Sequence, residues 1–192
     1  MGPGYLSSPL AFVVDTLFSL YIMAVMLRFL LQWSRADFFN PLAQFLVRIT
    51  QPLLAPLRRL IPGWGGIDFS AILLMVGLQA LALALLMMIA GVTPRLDYLL
   101  LRTPAELISL LLNVYLIAIV VRAILSWINP SDYNPATTLL LGLTEPVIRP
   151  FRAIIPPIGG VDLSPLAAII AIQILKMLIM PPLDRIAPAL MM

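Results

Sequence analysis

Long apolar runs separated by polar, proline-rich stretches dominate this chain. Four runs are long enough to cross a bilayer core about 30 Å thick, which takes roughly 20 residues of helix. They lie at about residues 10–33, 68–92, 106–128 and 162–182. The first and third runs each carry an arginine near their end, Arg28 and Arg122, ahead of Trp33 and Trp127. The pattern predicts an all-α membrane protein with four transmembrane helices.

The polar residues between the runs occur twice, 94 residues apart (41 to 135), and the two copies align without a gap. The shared residues are mostly charged or conformationally special: Asn40, Pro41, Pro52, Pro56, Arg58, Gly65, Gly66 and Asp68 in the first copy, and Asn134, Pro135, Pro146, Pro150, Arg152, Gly159, Gly160 and Asp162 in the second. A fixed internal period indicates two copies of one structural unit. We therefore expect two modules, residues 1–94 and 95–192.

Each module holds two spans joined by a long connection, which we call an elbow: residues 40–66 in the first module and 134–160 in the second. Two crossings return the chain to its starting side, so both modules have the same orientation. The sequence thus predicts two parallel hairpins. Arginines are more frequent in the elbows than in the other connections, and this bias predicts cytoplasmic elbows with both termini periplasmic.

Each elbow begins as an amphipathic segment. In the first, Leu42, Phe45, Leu46 and Ile49 recur at helical spacing. Proline inside a helix clashes with the preceding turn, so we expect breaks, with short new helices starting near Pro56 and Pro150. Arginines on those short helices would meet anionic lipid headgroups: Arg58, Arg59, Arg149 and Arg152. The glycine pairs permit a tight reversal, and the aspartates can cap the next span.

The sequence leaves two questions open at the elbows. Arg28 and Arg122 can snorkel to the headgroups above an interfacial tryptophan, or they can form ion pairs with Asp68 and Asp162. The elbows themselves can be simple structural corners, or basic sites for a lipid, an ion or a protein.

Three polar residues lie deep in the spans. Gln79 and Gln173 are equivalent in the two copies and lie nearest the midplane, where amides usually form hydrogen bonds between helices. The alternative is that they line a conduction path. Lys176 has no polar counterpart and can reach the outer surface or pair with Asp15.

The amino-acid composition limits both the class of protein and the chemistry that it can perform. Of 192 residues, 61% are hydrophobic and 11% charged, against about 25% charged in soluble domains. The chain has no cysteine or histidine, which excludes thiol nucleophiles, Cys/His zinc sites and histidine acid–base chemistry. The net charge of +3 comes from arginines that orient loops, so no nucleic-acid partner is expected. Without a catalytic constellation or cofactor motif, we expect no enzyme and no cofactor.

With these residues in view, the chain resembles the YggT family of bacterial membrane proteins, which has plastid relatives. The resemblance rests on Arg28, Trp33, Asn40-Pro41, Thr50-Gln51-Pro52, Pro56-Leu57-Arg58, Ile61-Pro62 and Gly65-Gly66-Ile67-Asp68-Phe69-Ser70, and on their second copy. It implies a small inner-membrane protein of a family associated with osmotic or ion homeostasis, cell division and, in plastids, cytochrome b6f haem attachment. It implies no molecular activity.

Two functions follow as expectations. The first is a non-enzymatic scaffold or an assembly or stress-tolerance factor, with the elbows docking anionic lipids or membrane, division or assembly proteins. The second is a component of a cation channel or transporter in osmotic homeostasis, acting as a homo-oligomer because four spans leave little room for a pore in one chain.

Overall fold

The computed structural model describes residues 4–128, 134–156 and 162–189. In these residues the chain forms six α-helices: α1 (Gly4–Trp33), α2 (Pro41–Leu60), α3 (Phe69–Ile89), α4 (Leu96–Ile128), α5 (Pro135–Ile154) and α6 (Ser164–Ala189). Four segments are long and apolar enough to cross a membrane: Ser8–Trp33, Phe69–Ile89, Leu96–Leu125 and Ser164–Leu183. The expectation of an all-α, multi-pass membrane protein is therefore confirmed.

The predicted breaks in the elbows are wrong. α2 runs without interruption through Pro52 and Pro56, and α5 through Pro146 and Pro150. A proline in a helix interior usually costs about 3 kcal/mol or more. All four prolines are exposed, so the backbone groups that they leave without a helical hydrogen bond lie on the outer side of each helix. The two prolines of each pair are four residues apart. The carbonyl that the second proline would bond, if it had an N–H, is therefore that of the first proline, so both irregularities fall in the same helical turn.

Three helices are longer than the predicted spans, and the first of them, α1, begins at Gly4, six residues before the expected start. α4 begins at Leu96, ten residues before the expected start, because its charged residues pair along the helix: Arg102 lies 2.7 Å from Glu106, one turn on. Its 33 residues extend about 50 Å, which exceeds the bilayer core. α6 continues through Pro181 and Pro182 to Ala189. Prolines are tolerated in transmembrane helices, where the freed backbone groups find other partners.

Polar side chains and glycines set the helix ends. The Asn40 side chain accepts a hydrogen bond from the Leu42 amide at the start of α2, and Asn134 does the same for Thr137 at the start of α5. Asp68 caps α3 through the Ala71 amide at 3.2 Å, as predicted. α3 ends in a Schellman motif, with Gly91 at a φ of 78°.

The helices pack as two hairpins with their elbows folded against them. α1 contacts α3 and α4 contacts α6, while α2 packs on the first pair and α5 on the second. The closely packed core lies at the elbow end of the spans and includes Val25, Leu30, Leu54, Ile119 and Ile148. The opposite end is less well filled and contains polar cavities.

Candidate functional site

Arg28 is buried beneath the first elbow, with 4% of its surface exposed. One terminal nitrogen donates to the Thr50 hydroxyl at 2.7 Å and to the Val47 carbonyl at 3.2 Å. The other donates to the Gln51 side-chain oxygen at 2.8 Å. Neither alternative from the sequence is realised, because Arg28 is not at the surface and does not bond Asp68. It instead fastens α1 to α2.

Asp68 pairs with Arg58 of the same elbow. The guanidinium of Arg58 contacts one carboxylate oxygen through two nitrogens, Nε at 3.1 Å and a closer terminal nitrogen. The Asp68 side chain is only 4% exposed, and Arg58 is the ion-pair partner that compensates for its burial. The Ser70 hydroxyl adds a bond to the Ile61 carbonyl at 2.6 Å. Arg58 is therefore a structural brace between the end of α2 and the start of α3.

The turn between these helices depends on the glycine pair. Trp64 and Ile67 form reciprocal backbone hydrogen bonds of 3.2 and 3.1 Å across Gly65 and Gly66. The two glycines have φ of 63° and 83°, in the left-handed region that glycine adopts without strain. Trp64, at the tip, is 84% exposed. The equivalent glycines Gly159 and Gly160 lie outside the described residues.

The second elbow uses a different charge arrangement around the same geometry. Arg122 donates to the Thr144 hydroxyl at 2.8 Å, as Arg28 does to Thr50. Glu145 replaces Gln51 and receives both Arg122, at 3.0 Å, and Arg152, at 2.6 Å. Arg152 also reaches Asp162 at 3.2 Å. These four side chains form one connected set of ion pairs whose charges sum to zero.

The environment of Asp162 lowers the pKa of its carboxyl. Partial burial acts in the opposite direction, but hydrogen bonds from Ser164 and Arg152 to the charged form outweigh it. The side chain is 42% exposed. Asp162 is therefore a solvated version of the buried carboxylate at Asp68.

Some arginines of the elbow end are not used by the fold. Among the described residues, four exposed arginine side chains have no hydrogen-bond or ion-pair partner: Arg35, Arg48, Arg59 and Arg149. Arg59 directly follows the brace Arg58, and Arg149 precedes the brace Arg152 by three residues. The predicted set of headgroup-binding arginines is thus divided: Arg58 and Arg152 are braces, whereas Arg59 and Arg149 are available.

α2 has three faces. One packs on the bundle through Ala43, Thr50 and Leu54. At about 100° per residue, a second face groups apolar residues that are exposed or half-buried: Leu42, Phe45, Ile49, Pro52, Leu53, Pro56 and Leu60. Arg48 and Arg59 lie about 90° from that face. Such a helix fits the boundary where bundle, acyl chains and water meet.

A polar cavity of about 420 Å³ lies between α1, α3 and α4, at the end away from the elbows. Its polar lining comprises Asp15, Ser19, Gln79, Glu106, Ser109 and Asn113. Towards the elbows it is bounded by Ile22, beyond which Val25 and Met26 are buried. The cavity can hold a small polar ligand or a hydrated ion.

The three intramembrane residues have different surroundings. Gln79 lines the cavity. Lys176 donates to the Asn113 side chain at 2.7 Å, across α4 and α6, and not to Asp15. Gln173 is exposed and makes no hydrogen bond with the described residues.

Sequence reasoning did not identify the partners of the arginines. The residues that bond Arg28 and Arg122 are more than 20 residues away from them in sequence: Thr50, Gln51, Thr144 and Glu145. A signal was present, because a threonine recurs at the same place in both copies on an otherwise apolar face. The cavity residues gave a weaker signal, since Asp15 and Glu106 are not repeated.

Comparison with known proteins gives a consistent family. A model of the CCB3/YggT family matches the chain twice, at residues 7–89 and 101–183. An uncharacterized protein of Pseudomonas aeruginosa is 43% identical over 176 residues, covering 91% of this chain and 89% of the relative. The uncharacterized protein YggT of Escherichia coli is 33% identical, covering 88% and 87%.

A plant relative matches a smaller part. YlmG homolog protein 2, a chloroplastic protein of Arabidopsis thaliana, is 41% identical over 65 residues, which is 32% of this chain and 24% of the relative. No solved structure matches the chain.

Proposed function

The chain belongs to the CCB3/YggT family, and from that premise we propose that it is a non-enzymatic scaffold of the bacterial inner membrane whose elbows dock anionic lipid. The observation that carries the proposal is the division of the elbow arginines. Those that brace the fold are satisfied by Asp68, Glu145 and Asp162. Arg59 and Arg149 are exposed and have no partner among the described residues, and Arg59 lies beside the exposed apolar face of α2.

This arrangement suits a phosphate headgroup. Arginine binds phosphate through two parallel hydrogen bonds, and each basic residue near an anionic surface contributes about 1 kcal/mol. The exposed face of α2, including Phe45 and Leu60, offers acyl chains an apolar surface. A partner protein recruited to the elbows would then meet a surface already covered by ordered lipid.

We also propose that the hairpins are parallel, with both elbows cytoplasmic and both termini periplasmic. The Asn40 side chain donates to the Pro135 carbonyl at 2.6 Å, so the beginnings of the two elbow helices lie side by side. Elbows on one side of the bilayer fit that contact. The arginine bias gives the direction.

Lipid titration followed by native mass spectrometry tests the proposal. Detergent-solubilised protein is titrated with phosphatidylglycerol and with phosphatidylcholine, and the lipid-bound fractions give apparent dissociation constants. The variant Arg59→Ala/Arg149→Ala removes about 2 kcal/mol, so we expect roughly 30-fold weaker phosphatidylglycerol binding.

Two controls accompany it. Phosphatidylcholine binding should be weak and equal in both proteins, and the variant should melt at the wild-type temperature. Unchanged phosphatidylglycerol binding by the folded variant would overturn the proposal. Replacing Arg58 and Arg152 is not an equivalent test, because those side chains hold the elbows together.

The cavity favours a second candidate, a cation-conducting or cation-binding component. Asp15 and Glu106 supply two carboxylates, and Ser19, Gln79 and Asn113 supply neutral oxygens of the kind that replace a hydration shell. Potassium flux through purified protein in liposomes separates the candidates. A flat trace from folded protein rejects conduction. A flux that Asp15→Asn reduces supports it.

A further inference from the structure

The two hairpins meet through a one-sided interface. α3 of the first hairpin packs on α4 of the second, α1 contacts α4 and α5, and α2 contacts α5. Moving each contact forward by one repeat would join α6 to α1, α4 to α1 and α2, and α5 to α2. The pairs α1–α4 and α2–α5 are already in contact, whereas the pairs α1–α6 and α2–α4 make no contact in the described residues. The interface thus has two sides, one formed by the first hairpin and one by the second. The surface of the first hairpin equivalent to the second hairpin's side, and the surface of the second equivalent to the first hairpin's side, are both uncovered, and we call them the open halves.

The burial of equivalent residues shows which surfaces are open. Leu139 of α5 is 8% exposed, but its counterpart Phe45 of α2 is 59% exposed. Val114 of α4 is 7% exposed, but its counterpart Leu20 of α1 is 59% exposed. The helix pairs in contact within each hairpin are the same. The difference in burial therefore comes from the packing between the hairpins, which covers these positions of the second hairpin but not the equivalent positions of the first.

The equivalent residues Gln79 and Gln173 also differ in whether another helix covers them. Gln79 of α3 faces the cavity that α4 completes, so its amide has polar surroundings. Gln173, its counterpart on α6, is exposed within an apolar span and has no hydrogen-bond partner among the described residues. An amide directed at hydrocarbon is unfavourable unless another protein surface covers it.

A smaller cavity marks the incomplete end. About 170 Å³ lies between α4 and α6, lined by Ser109, Lys176 and Met180 among others. It corresponds in part to the cavity between α1 and α3, which α4 closes. The smaller cavity lacks that third helix.

The open halves carry opposite charges. α6 has the half-buried Lys176, bonded to Asn113 of its own chain, where α3 has the buried Ala82. α1 presents the exposed Asp15 where α4 has Ser109. Repeating the internal contact between two chains would bring a lysine and an aspartate to one interface, and the surrounding apolar environment would strengthen their attraction.

We propose that a second copy of this chain packs its α1 and α2 against α6, α4 and α5 of the first, head to tail, repeating the internal interface. The partner's α1 completes the smaller cavity and covers Gln173. Because the contact is heterologous, copies close into a ring when the rotation between them permits. This inference does not depend on the lipid-docking proposal.

The chain has no cysteine, so cysteine cross-linking in native membranes tests the interface without background. Gln79 and Leu110 line the internal cavity together, from α3 and α4. Their counterparts are Gln173 and Thr16. We would treat membranes holding Gln173→Cys/Thr16→Cys with a short bifunctional thiol reagent and separate the products under denaturing conditions.

Head-to-tail packing predicts covalent dimers or a ladder from this double variant and only monomers from each single variant. The matched control, Gln79→Cys/Leu110→Cys, should link within one chain, lose reactivity towards maleimide and remain at the position of the monomer after separation. The inference fails if the control links but Gln173→Cys/Thr16→Cys stays monomeric. It also fails if Gln173→Cys alone gives as much dimer, since that would indicate symmetric α6 packing.

A charge reversal provides a second test. Asp15→Lys, added to the cross-linking pair, should reduce the linked fraction several-fold by opposing Lys176. Adding Lys176→Glu to the same chain should restore it. An unchanged linked fraction with Asp15→Lys would overturn the proposed contact.

Discussion

Gln51 and Glu145 occupy the same position in the two repeats, and each accepts a hydrogen bond from the arginine of the preceding span, Arg28 at 2.8 Å and Arg122 at 3.0 Å. The difference of one charge has a structural effect. Glu145 also binds Arg152, whereas Arg58 pairs with Asp68 and only approaches Gln32 at 3.4 Å. The second elbow is joined by a continuous set of ion pairs, and the first is divided into two separate clusters.

This difference predicts opposite effects for the two exchanges. Glu145→Gln removes an acceptor shared by two guanidinium groups, and we expect a loss of about 1 kcal/mol because the site is partly solvated. Gln51→Glu places a carboxylate near Arg28 and Arg58 and should raise the melting temperature. Thermal unfolding in detergent measures both, and shifts of the same sign would contradict the explanation.

Adjacent arginines should differ sharply in their effect on stability. Arg58→Ala leaves the buried Asp68 carboxylate without its partner and should cost about 3 kcal/mol. Arg59→Ala removes an exposed side chain without a partner in the described residues and should change stability by less than about 0.5 kcal/mol. Chemical denaturation gives both values.

A double variant separates the brace from general damage. Asp68→Asn keeps a side-chain oxygen for the Ala71 amide but removes the charge, so Arg58→Ala/Asp68→Asn should recover much of the loss. Additive losses in the double variant would show that the ion pair is not the source of the effect.

Acid should weaken the second elbow through Asp162. Its folded pKa lies below the unfolded value of about 3.9, so its contribution to stability is present above that value. It is lost as the pH falls through the folded pKa. We expect Asp162→Asn to melt below wild type at pH 7 and the difference to shrink below about pH 4. A difference that does not change with pH would argue against an electrostatic role.

The turn after α2 should tolerate only residues that accept positive φ. Gly66→Ala introduces a side chain into open space, so its cost of roughly 1 kcal/mol comes from the backbone alone. Gly77→Ala is the matched control, because Gly77 lies within α3 with equally open space around it. Alanine should stabilise that position. Equal melting temperatures for the two variants would refute this explanation.

The spans and caps could be predicted from the sequence because their signals are local. Uncharged runs and single polar residues such as Asn40 and Asp68 fix where a helix crosses or begins. The continuity of α2 could not be predicted, since the cost of Pro52 and Pro56 depends on which side of the helix meets the bundle. That side is set by tertiary packing.

The hydrogen-bond and ion-pair partners of the arginines also could not be predicted from the sequence. The alternative in which Arg28 bonds Asp68 rested on charge alone, but the buried guanidinium has three neutral acceptors on α2. Asp68 pairs instead with Arg58, which lies only ten residues away in the sequence. The polar cavity also depends on the third dimension, because it forms where residues of α1, α3 and α4 meet.

The hydrogen bond from Asn40 to the Pro135 carbonyl has a mechanical consequence. It joins the beginnings of α2 and α5, each of which packs on its own pair of spans. When lateral pressure or bilayer thickness changes, neither helix can tilt without pulling on the other. α2 and α5 would therefore move together in response to tension in the surrounding leaflet.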